Sequence, residues 1–65
     1  MYLGRPDMAL DDFDRAIARK RDFARVYFHR GMLFRTMSDK DRAMADLRRA
    51  CDLGYAAGCD ALRGP

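Results

Sequence analysis

Few side chains in this sequence are suited to catalysis or metal binding. The 65 residues include two cysteines, Cys51 and Cys59, and a single histidine, His29. A cysteine nucleophile needs a base and a third group that orients the base, and no such motif surrounds either cysteine. A structural zinc site needs about four ligands at close spacing, which two cysteines and one distant histidine do not supply. We therefore expect no catalytic site, no metal site and no cofactor, in a protein that is not an enzyme.

The charged residues point to an acidic partner. The chain has 13 Lys and Arg against 10 Asp and Glu, a net charge of +3. Arginine forms planar, bidentate contacts with carboxylates and phosphates. The net charge is too small to indicate nucleic acid, and the basic run at 19–21 is explained by the negative end of a helix dipole. No apolar run approaches the roughly 20 residues that span a bilayer, so no membrane partner is expected.

The elements that would position these side chains are helices. Apolar residues at spacings of three and four predict a helix from residue 6 to about 19, a second from 22 to about 37 and a third from 40 to 52. One or two further turns are expected between 55 and 63. Asp22 has the side chain of a helix N-cap and is predicted to begin the second helix.

Three features predict how these helices meet. Gly31 in the middle of the second helix costs about 1 kcal/mol relative to alanine, which indicates a close approach of another backbone, at Ala43. Gly54 follows the third helix, where a left-handed residue is expected. The inward positions predicted for the third helix are Ala43, Met44, Leu47, Ala50 and Cys51.

A 34-residue period links the first and third helices. The pattern Asp7-x-Ala9-x-x-Asp12-x-x-Arg15-Ala16 recurs as Asp41-x-Ala43-x-x-Asp46-x-x-Arg49-Ala50. A fixed period of this size is typical of helical repeat arrays, in which each unit buries its apolar face against its neighbours. The predicted fold is all-α: a helix-turn-helix repeat, or α-solenoid fragment, with three main antiparallel helices and a short C-terminal helical segment.

The spacing of small and large residues resembles the tetratricopeptide repeat. The residues that match its signature are Tyr27, Gly31, Phe34, Ala43, Leu47 and Ala50. The resemblance implies one domain over 1–65, with the second helix of a partial repeat at 4–19, one full repeat at 22–53 and a capping tail at 54–65. It also implies a non-catalytic protein–protein interaction module, in which the first helix of each pair lines a groove.

The tail resembles the related Sel-one-like repeats, whose cysteine-rich members carry two cysteines separated by seven residues within a helical hairpin. Cys51 and Cys59 have that separation. They either form a disulfide, if their Cα atoms come within about 7 Å, or remain as two small buried thiols. The compartment stays open: a disulfide indicates the periplasm or secretion, and free thiols are compatible with the cytoplasm.

In such a stack the second helix would line the groove. Its Arg25, Phe28, Met32 and Arg35 recur at spacings of three and four and so share one stripe, which His29 borders. An apolar centre flanked by guanidinium groups suits a peptide with an acidic residue beside an apolar anchor. These five residues are the predicted partner-binding site.

Self-assembly is the competing interpretation. The apolar face of residues 6–19 lacks an evident partner, and two chains could cover it reciprocally as a homodimer with C₂ symmetry. The stripe on the second helix could equally pack on another repeat of a longer array, because exposed apolar patches mark either kind of interface. In that case no separate ligand groove exists.

Overall fold

Four consecutive α-helices make up the computed structural model, which describes residues 6–63. They are α1 (Pro6–Arg19), α2 (Ala24–Thr36), α3 (Lys40–Asp52) and α4 (Ala56–Arg63). Each helix packs on the next one in the sequence. No strand occurs between residues 6 and 63, and the all-α helical-repeat prediction is confirmed. None of the described helices is long and apolar enough to cross a membrane. Predictions for 1–5 and 64–65 lie outside the described residues.

The start of α2 differs from the sequence prediction. The helix begins at Ala24, and its N-cap is Phe23, which makes no side-chain capping bond. The prediction that Asp22 caps this helix is wrong. The reason lies in the turn, where the Phe23 N–H donates to the Lys20 carbonyl and the Phe23 carbonyl accepts from Val26, at 3.2 and 3.1 Å. Those backbone bonds make Phe23 the first residue of the helical pattern.

The turns after α2 and α3 have the same backbone pattern. At the first, the Asp39 N–H donates to the Phe34 carbonyl at 2.9 Å, and at the second Tyr55 donates to Ala50 at 2.9 Å. These are the bonds of a Schellman motif, which requires a left-handed residue. Ser38 fills that position with φ 66°, and the equivalent Gly54 has φ 94°. The left-handed conformation predicted at Gly54 is therefore confirmed.

The core lies between α2 and α3. Its buried apolar side chains are Val26, Phe34, Ala43, Leu47 and Ala50. A Cβ atom on Gly31 would lie 3.0 Å from Leu47 Cγ and 3.1 Å from the Ala43 carbonyl oxygen. Both distances are shorter than ordinary van der Waals contact, so the helices could not pack this closely with a larger residue at 31. The close approach predicted from the sequence is confirmed.

A second glycine allows α4 to pack closely on α3. A Cβ on Gly58 would lie 2.9 Å from both the Ala50 Cβ and the Leu47 carbonyl oxygen. Leu47 therefore contacts one glycine from α2 and one from α4. Both α2 and α4 therefore pack closely on α3.

Two positions of α3 are reversed relative to the prediction. Met44, expected to face inward, is 58 % exposed, whereas Asp46 is only 1 % exposed. Met44 borders an open groove against Ala61 and Leu62 of α4. Asp46 is buried because Arg30 of α2 pairs with it. The inward face of α3 is the one that carries Ala43, Leu47 and Ala50, and pairing with Arg30 allows a carboxylate to lie within it.

We predict that Ser38→Gly stabilises the chain and Gly54→Ala destabilises it. A left-handed residue with a Cβ costs roughly 1–2 kcal/mol, and the greater freedom of glycine when unfolded offsets about half of that. We expect a gain of roughly 0.5–1 kcal/mol for Ser38→Gly in urea unfolding and a loss of about 1 kcal/mol for Gly54→Ala. No atom lies within 4 Å of a Cβ on Gly54, so the loss would report backbone strain and not a clash. Equal stability of all three proteins would contradict the two left-handed assignments.

Candidate functional site

The predicted stripe lies on α2. Arg25 and Arg35 are exposed, while Phe28 and Met32 are half-buried. With a rise of about 1.5 Å per residue, the Cα atoms of Arg25 and Arg35 are separated by about 15 Å. The stripe therefore has two charged ends and an apolar centre along a single rigid element.

An aromatic cluster holds the centre of the stripe. The Phe28 ring lies 5.3 Å from the Tyr55 ring and 5.4 Å from the His29 ring, measured between centroids. The His29 ring in turn stacks on Phe13 of α1, at 6.2 Å and 17°. The contacts with Tyr55 and His29 restrict the Phe28 side chain. His29 therefore links the stripe to α1 and does not stand alone at its edge.

Tyr55 and Phe13 were not among the residues predicted for the site. Tyr55 lies in the turn before α4, so its contact with α2 depends on how α4 folds back. Phe13 had a sequence signal, because it matches Leu47 in the 34-residue period and belongs to an apolar face. That signal predicts that Phe13 is buried, but it does not predict that His29 of α2 stacks on it.

The two arginines at the ends of the stripe differ from those nearer the core. Arg30, Arg42 and Arg49 each lie within 4.0 Å of an aspartate carboxylate. Arg25 and Arg35 make no ion pair with any residue between 6 and 63. Their guanidinium groups are exposed and can donate to a carboxylate from another molecule.

Arg35 also borders a second surface. A groove of about 300 Å³ opens between α3 and α4 beside it. The other residues that line this groove are Ser38, Lys40, Ala43, Met44, Leu47, Ala61 and Leu62. We call the apolar part of this surface, Met44, Ala61 and Leu62, the α4 groove. Arg35 thus lies between the α2 stripe and the α4 groove.

Arg30 joins three helices and was missed by the sequence analysis. Its Nε and Nη2 donate to the two carboxylate oxygens of Asp46, at 2.6 and 3.0 Å. Its Nη1 donates to Asp14 of α1 at 2.8 Å, and Arg49 Nη1 donates to Asp46 at 3.1 Å. A bidentate pair of this kind fixes both distance and orientation. Every hydrogen-bonding atom of the buried carboxylate therefore has a partner.

The surroundings keep Arg30 charged. Its hydrogen bond to Asp46 is the main cause that raises the pKa of Arg30 further above its ordinary value, and the bond to Asp14 adds to this. Its guanidinium carbon also lies 5.7 Å from the Tyr27 ring centre and 5.8 Å from that of Phe34.

The recurrence of aspartate at 12 and 46 was the sequence signal from which the role of Asp46 could have been suspected. From hydrophobic periodicity alone, a charged residue at such a position is expected on the solvent-exposed side of the helix.

We predict that Arg30→Met destabilises the fold strongly, because it leaves Asp46 buried without its main partner. Breaking a buried pair in this way costs roughly 3–5 kcal/mol. Arg15→Met is the matched control, since the Arg15–Asp11 pair is 74 % and 60 % exposed and such surface pairs contribute about 0–1 kcal/mol. Both variants are measured by urea unfolding followed by circular dichroism.

A double variant separates the loss of the pair from the loss of packing. If Arg30→Met is destabilising because it leaves the buried Asp46 carboxylate without a cation, then adding Asp46→Leu should recover part of the stability. If Arg30→Met and the Arg15→Met control had similar free energies of unfolding, the Arg30–Asp46 pair would not be a main source of stability.

The two cysteines meet at the junction of α3 and α4. Cys51 and Cys59 are joined as a disulfide, and their Cα atoms are 4.7 Å apart. Both residues are half-buried. The bond ties the last turn of α3 to an α4 of only 8 residues, and isolated helices shorter than about 12 residues are marginal in water. Within 6–63, no group of three His, Cys, Asp or Glu side chains is placed to hold a metal ion.

We predict that reduction of this disulfide lowers stability by about 2–3 kcal/mol, because the unfolded chain loses a closed loop of nine residues. Thermal unfolding with and without dithiothreitol measures the change. The Cys51→Ser/Cys59→Ser variant should unfold like the reduced chain and should not respond to reductant. An oxidised chain that unfolds like this variant would argue against a stabilising role.

The α2–α3 pair, with Gly31 seated against Ala43 and Leu47, defines a helical-hairpin repeat protein. Residues 24–53 match the family described as Tetratricopeptide repeat. The match covers both helices of the pair and leaves α1 and α4 on either side. No curated protein and no solved structure matches the chain. Tetratricopeptide repeats are generally non-catalytic and mediate protein–protein interactions, which is the general role this segment indicates.

Proposed function

We propose that the chain binds a protein or peptide through the α2 stripe, and that the partner places acidic groups beside an apolar anchor. The observation that supports this most directly is the state of Arg25 and Arg35. Both are exposed and make no ion pair within the described residues, whereas Arg30 on the same helix pairs with two aspartates. Hydrogen bonds between guanidinium and carboxylate are roughly twice as strong as neutral ones.

The apolar centre of the stripe supplies the anchor site. Phe28 and Met32 are half-buried, so part of each side chain remains available to a ligand. Phe28 is already restricted by Tyr55 and His29. Ordering a side chain on binding costs about 0.5–1.5 kcal/mol, and a restricted ring avoids much of that cost. Met32 is more flexible and can adapt to anchors of different shape.

The spacing of the charged ends sets the length of the partner segment. The Cα atoms of Arg25 and Arg35 are about 15 Å apart, a distance that an extended peptide spans with about five residues. A peptide with an aspartate at each end and a leucine or phenylalanine in the middle is therefore the expected minimal ligand.

We predict that Arg35→Glu and Arg25→Glu each weaken binding of such a peptide by about tenfold or more. Each removes a charge-assisted bond of roughly 1.5–3 kcal/mol and introduces a repelling charge. Fluorescence anisotropy of a labelled peptide measures the effect, and the same peptide with lysine at both ends should not bind. Arg21→Glu is the matched control, because it makes the same charge change on an exposed residue outside α2.

Two outcomes would contradict the proposal. If the Arg21→Glu control loses as much affinity as the stripe variants, net charge and not the stripe governs binding. If all variants bind like the natural sequence, the site lies elsewhere. Circular dichroism of each variant confirms that the helices remain folded, which is expected because these arginines make no ion pair with residues 6–63.

We also propose a division of the chain into the second helix of a partial repeat at 4–19, a full repeat at 22–53 and a capping tail at 54–65. The likeness of α1 to α3 supports the first boundary. The Cys51–Cys59 disulfide supports a Sel-one-like turn at the start of the tail. A bond of this kind persists in oxidising compartments, such as the periplasm or the extracellular space.

A second candidate function is self-assembly, as a homodimer or within a longer array. The observation in its favour is the exposure of large apolar side chains on α1 and α3. Met8 of α1 is 43 % exposed and Met44 of α3 is 58 % exposed. Exposed apolar residues that border a groove are typical of interfaces.

A further inference from the structure

Tyr55 connects the disulfide with the α2 stripe. It is the central residue of the loop that the Cys51–Cys59 bond closes. Its ring contacts Phe28 in the apolar centre of the stripe, with the two ring centroids 5.3 Å apart. The turn between α3 and α4, which the disulfide holds, therefore places the ring that packs on Phe28.

The backbone of Tyr55 is shared by α3 and α4. Its N–H donates to the Ala50 carbonyl of α3 at 2.9 Å, and its carbonyl accepts from the Gly58 N–H of α4 at 2.9 Å. The second bond belongs to the first turn of α4, so it is lost if that helix unwinds. Tyr55 is then no longer held from both sides, and its ring is free to leave Phe28.

The attachment of α4 to α3 depends on the disulfide because the packing of α4 is weak. The helix has 8 residues, and isolated helices of this length are marginal in water. Its buried residue is Gly58, which has no side chain to bury. Its apolar side chains at Ala57, Ala61 and Leu62 are only half-buried. The covalent bond at Cys59 is therefore a main attachment of α4.

We propose that the Cys51–Cys59 disulfide is a redox switch for the α2 stripe. In the oxidised chain α4 is attached, Tyr55 packs on Phe28 and the stripe binds its partner. In the reduced chain α4 separates from α3, Tyr55 leaves Phe28 and the stripe binds more weakly. The switch rests on the proposed peptide binding, since it changes the affinity of that same site.

The reductant that operates the switch is a dithiol. One thiolate of the dithiol attacks a cysteine sulfur, so that the Cys51–Cys59 bond breaks and a mixed disulfide forms. The second thiol of the reductant then displaces that cysteine. The chain gains two electrons and two protons as two thiols, and the dithiol becomes a disulfide. Both cysteines are half-buried, so part of each residue is open to the attacking thiolate.

Loss of the Tyr55 contact weakens binding because it frees the Phe28 ring. A ring that is already ordered loses little rotational freedom when a ligand packs on it. When Tyr55 has left, that ordering must take place on binding and lowers the affinity. We expect the reduced chain to bind about three- to tenfold more weakly than the oxidised chain.

The first experiment follows the ring contact by NMR in the natural sequence, without any peptide. The oxidised chain should show nuclear Overhauser contacts between the Phe28 and Tyr55 rings. Dithiothreitol should remove them together with the helical chemical shifts of 56–63, while those of α1, α2 and α3 remain. A ring contact that persists after reduction excludes the switch. Unfolding of α1 to α3 together with α4 also excludes it, because binding would then be lost with the whole fold.

The second experiment measures affinity by fluorescence anisotropy, with the labelled peptide that has an aspartate at each end and an apolar residue in the middle. Reduction should weaken its binding to the natural sequence by the amount given above. Oxidised Tyr55→Ala should bind like the reduced natural sequence, and its affinity should not respond to dithiothreitol. Tyr55→Phe is the matched control, because it keeps the ring and should respond like the natural sequence.

Thermal unfolding distinguishes a positioning role of Tyr55 from a purely structural one. Tyr55→Ala keeps the disulfide, so reduction should still lower its melting temperature. Its affinity should nevertheless be the same in both redox states. A structural role alone predicts that stability and affinity fall together in this variant.

The binding results decide between the switch and its alternatives. Equal affinity of the oxidised and reduced natural chains, or tighter binding after reduction, overturns the switch. A Tyr55→Ala chain whose affinity still falls on reduction excludes Tyr55 as the connecting residue. A peptide that binds neither redox form contradicts the proposed function, and the NMR contact between Phe28 and Tyr55 then decides by itself whether the disulfide controls the stripe.

Discussion

The bidentate pair between Arg30 and Asp46 is the contact on which the helix arrangement depends. Burying a carboxylate that is only 1 % exposed is costly unless a cation pairs with it and its oxygens are hydrogen-bonded. Because Arg30 also reaches Asp14, one guanidinium sets the positions of α1, α2 and α3 together. The next residue is Gly31, which allows α2 to rest against the backbone of α3 at Ala43. Charge and close packing therefore select the same register of the two helices.

The same pair determines which side of α2 faces outward. Successive residues of an α-helix are rotated by about 100°, so Arg30 lies about 180° from the centre of the stripe formed by Arg25, Phe28, Met32 and Arg35. When Arg30 points inward to its aspartates, the stripe must face away from them. The exposure of the proposed binding residues thus follows from the orientation that the ion pair and the packing at Gly31 give to α2.

Much of the fold could be predicted from periodicity, because α1 and α3 follow the apolar spacing and Gly54 marks a helix end. The errors have physical causes that single positions do not reveal. Asp22 was a suitable cap, but backbone bonds in the turn made Phe23 the entry residue. Met44 lies at the edge of the buried face of α3 and is exposed, whereas Asp46 lies within that face because Arg30 pairs with it. The stripe residues follow from spacing on α2, whereas their contact with Tyr55 requires the tertiary path of the chain.

The two glycines against Leu47 have a mechanical consequence. At Gly31, α2 rests on the Leu47 side chain and the Ala43 carbonyl oxygen of α3, and at Gly58, α4 lies against the Ala50 Cβ and the backbone of α3. An exposed side chain can change rotamer and absorb a small displacement, but the buried Leu47 has little room to do so, because packed interiors have low compressibility. A shift of α2 by a fraction of an ångström is therefore passed through α3 to α4 as the movement of one stiff body.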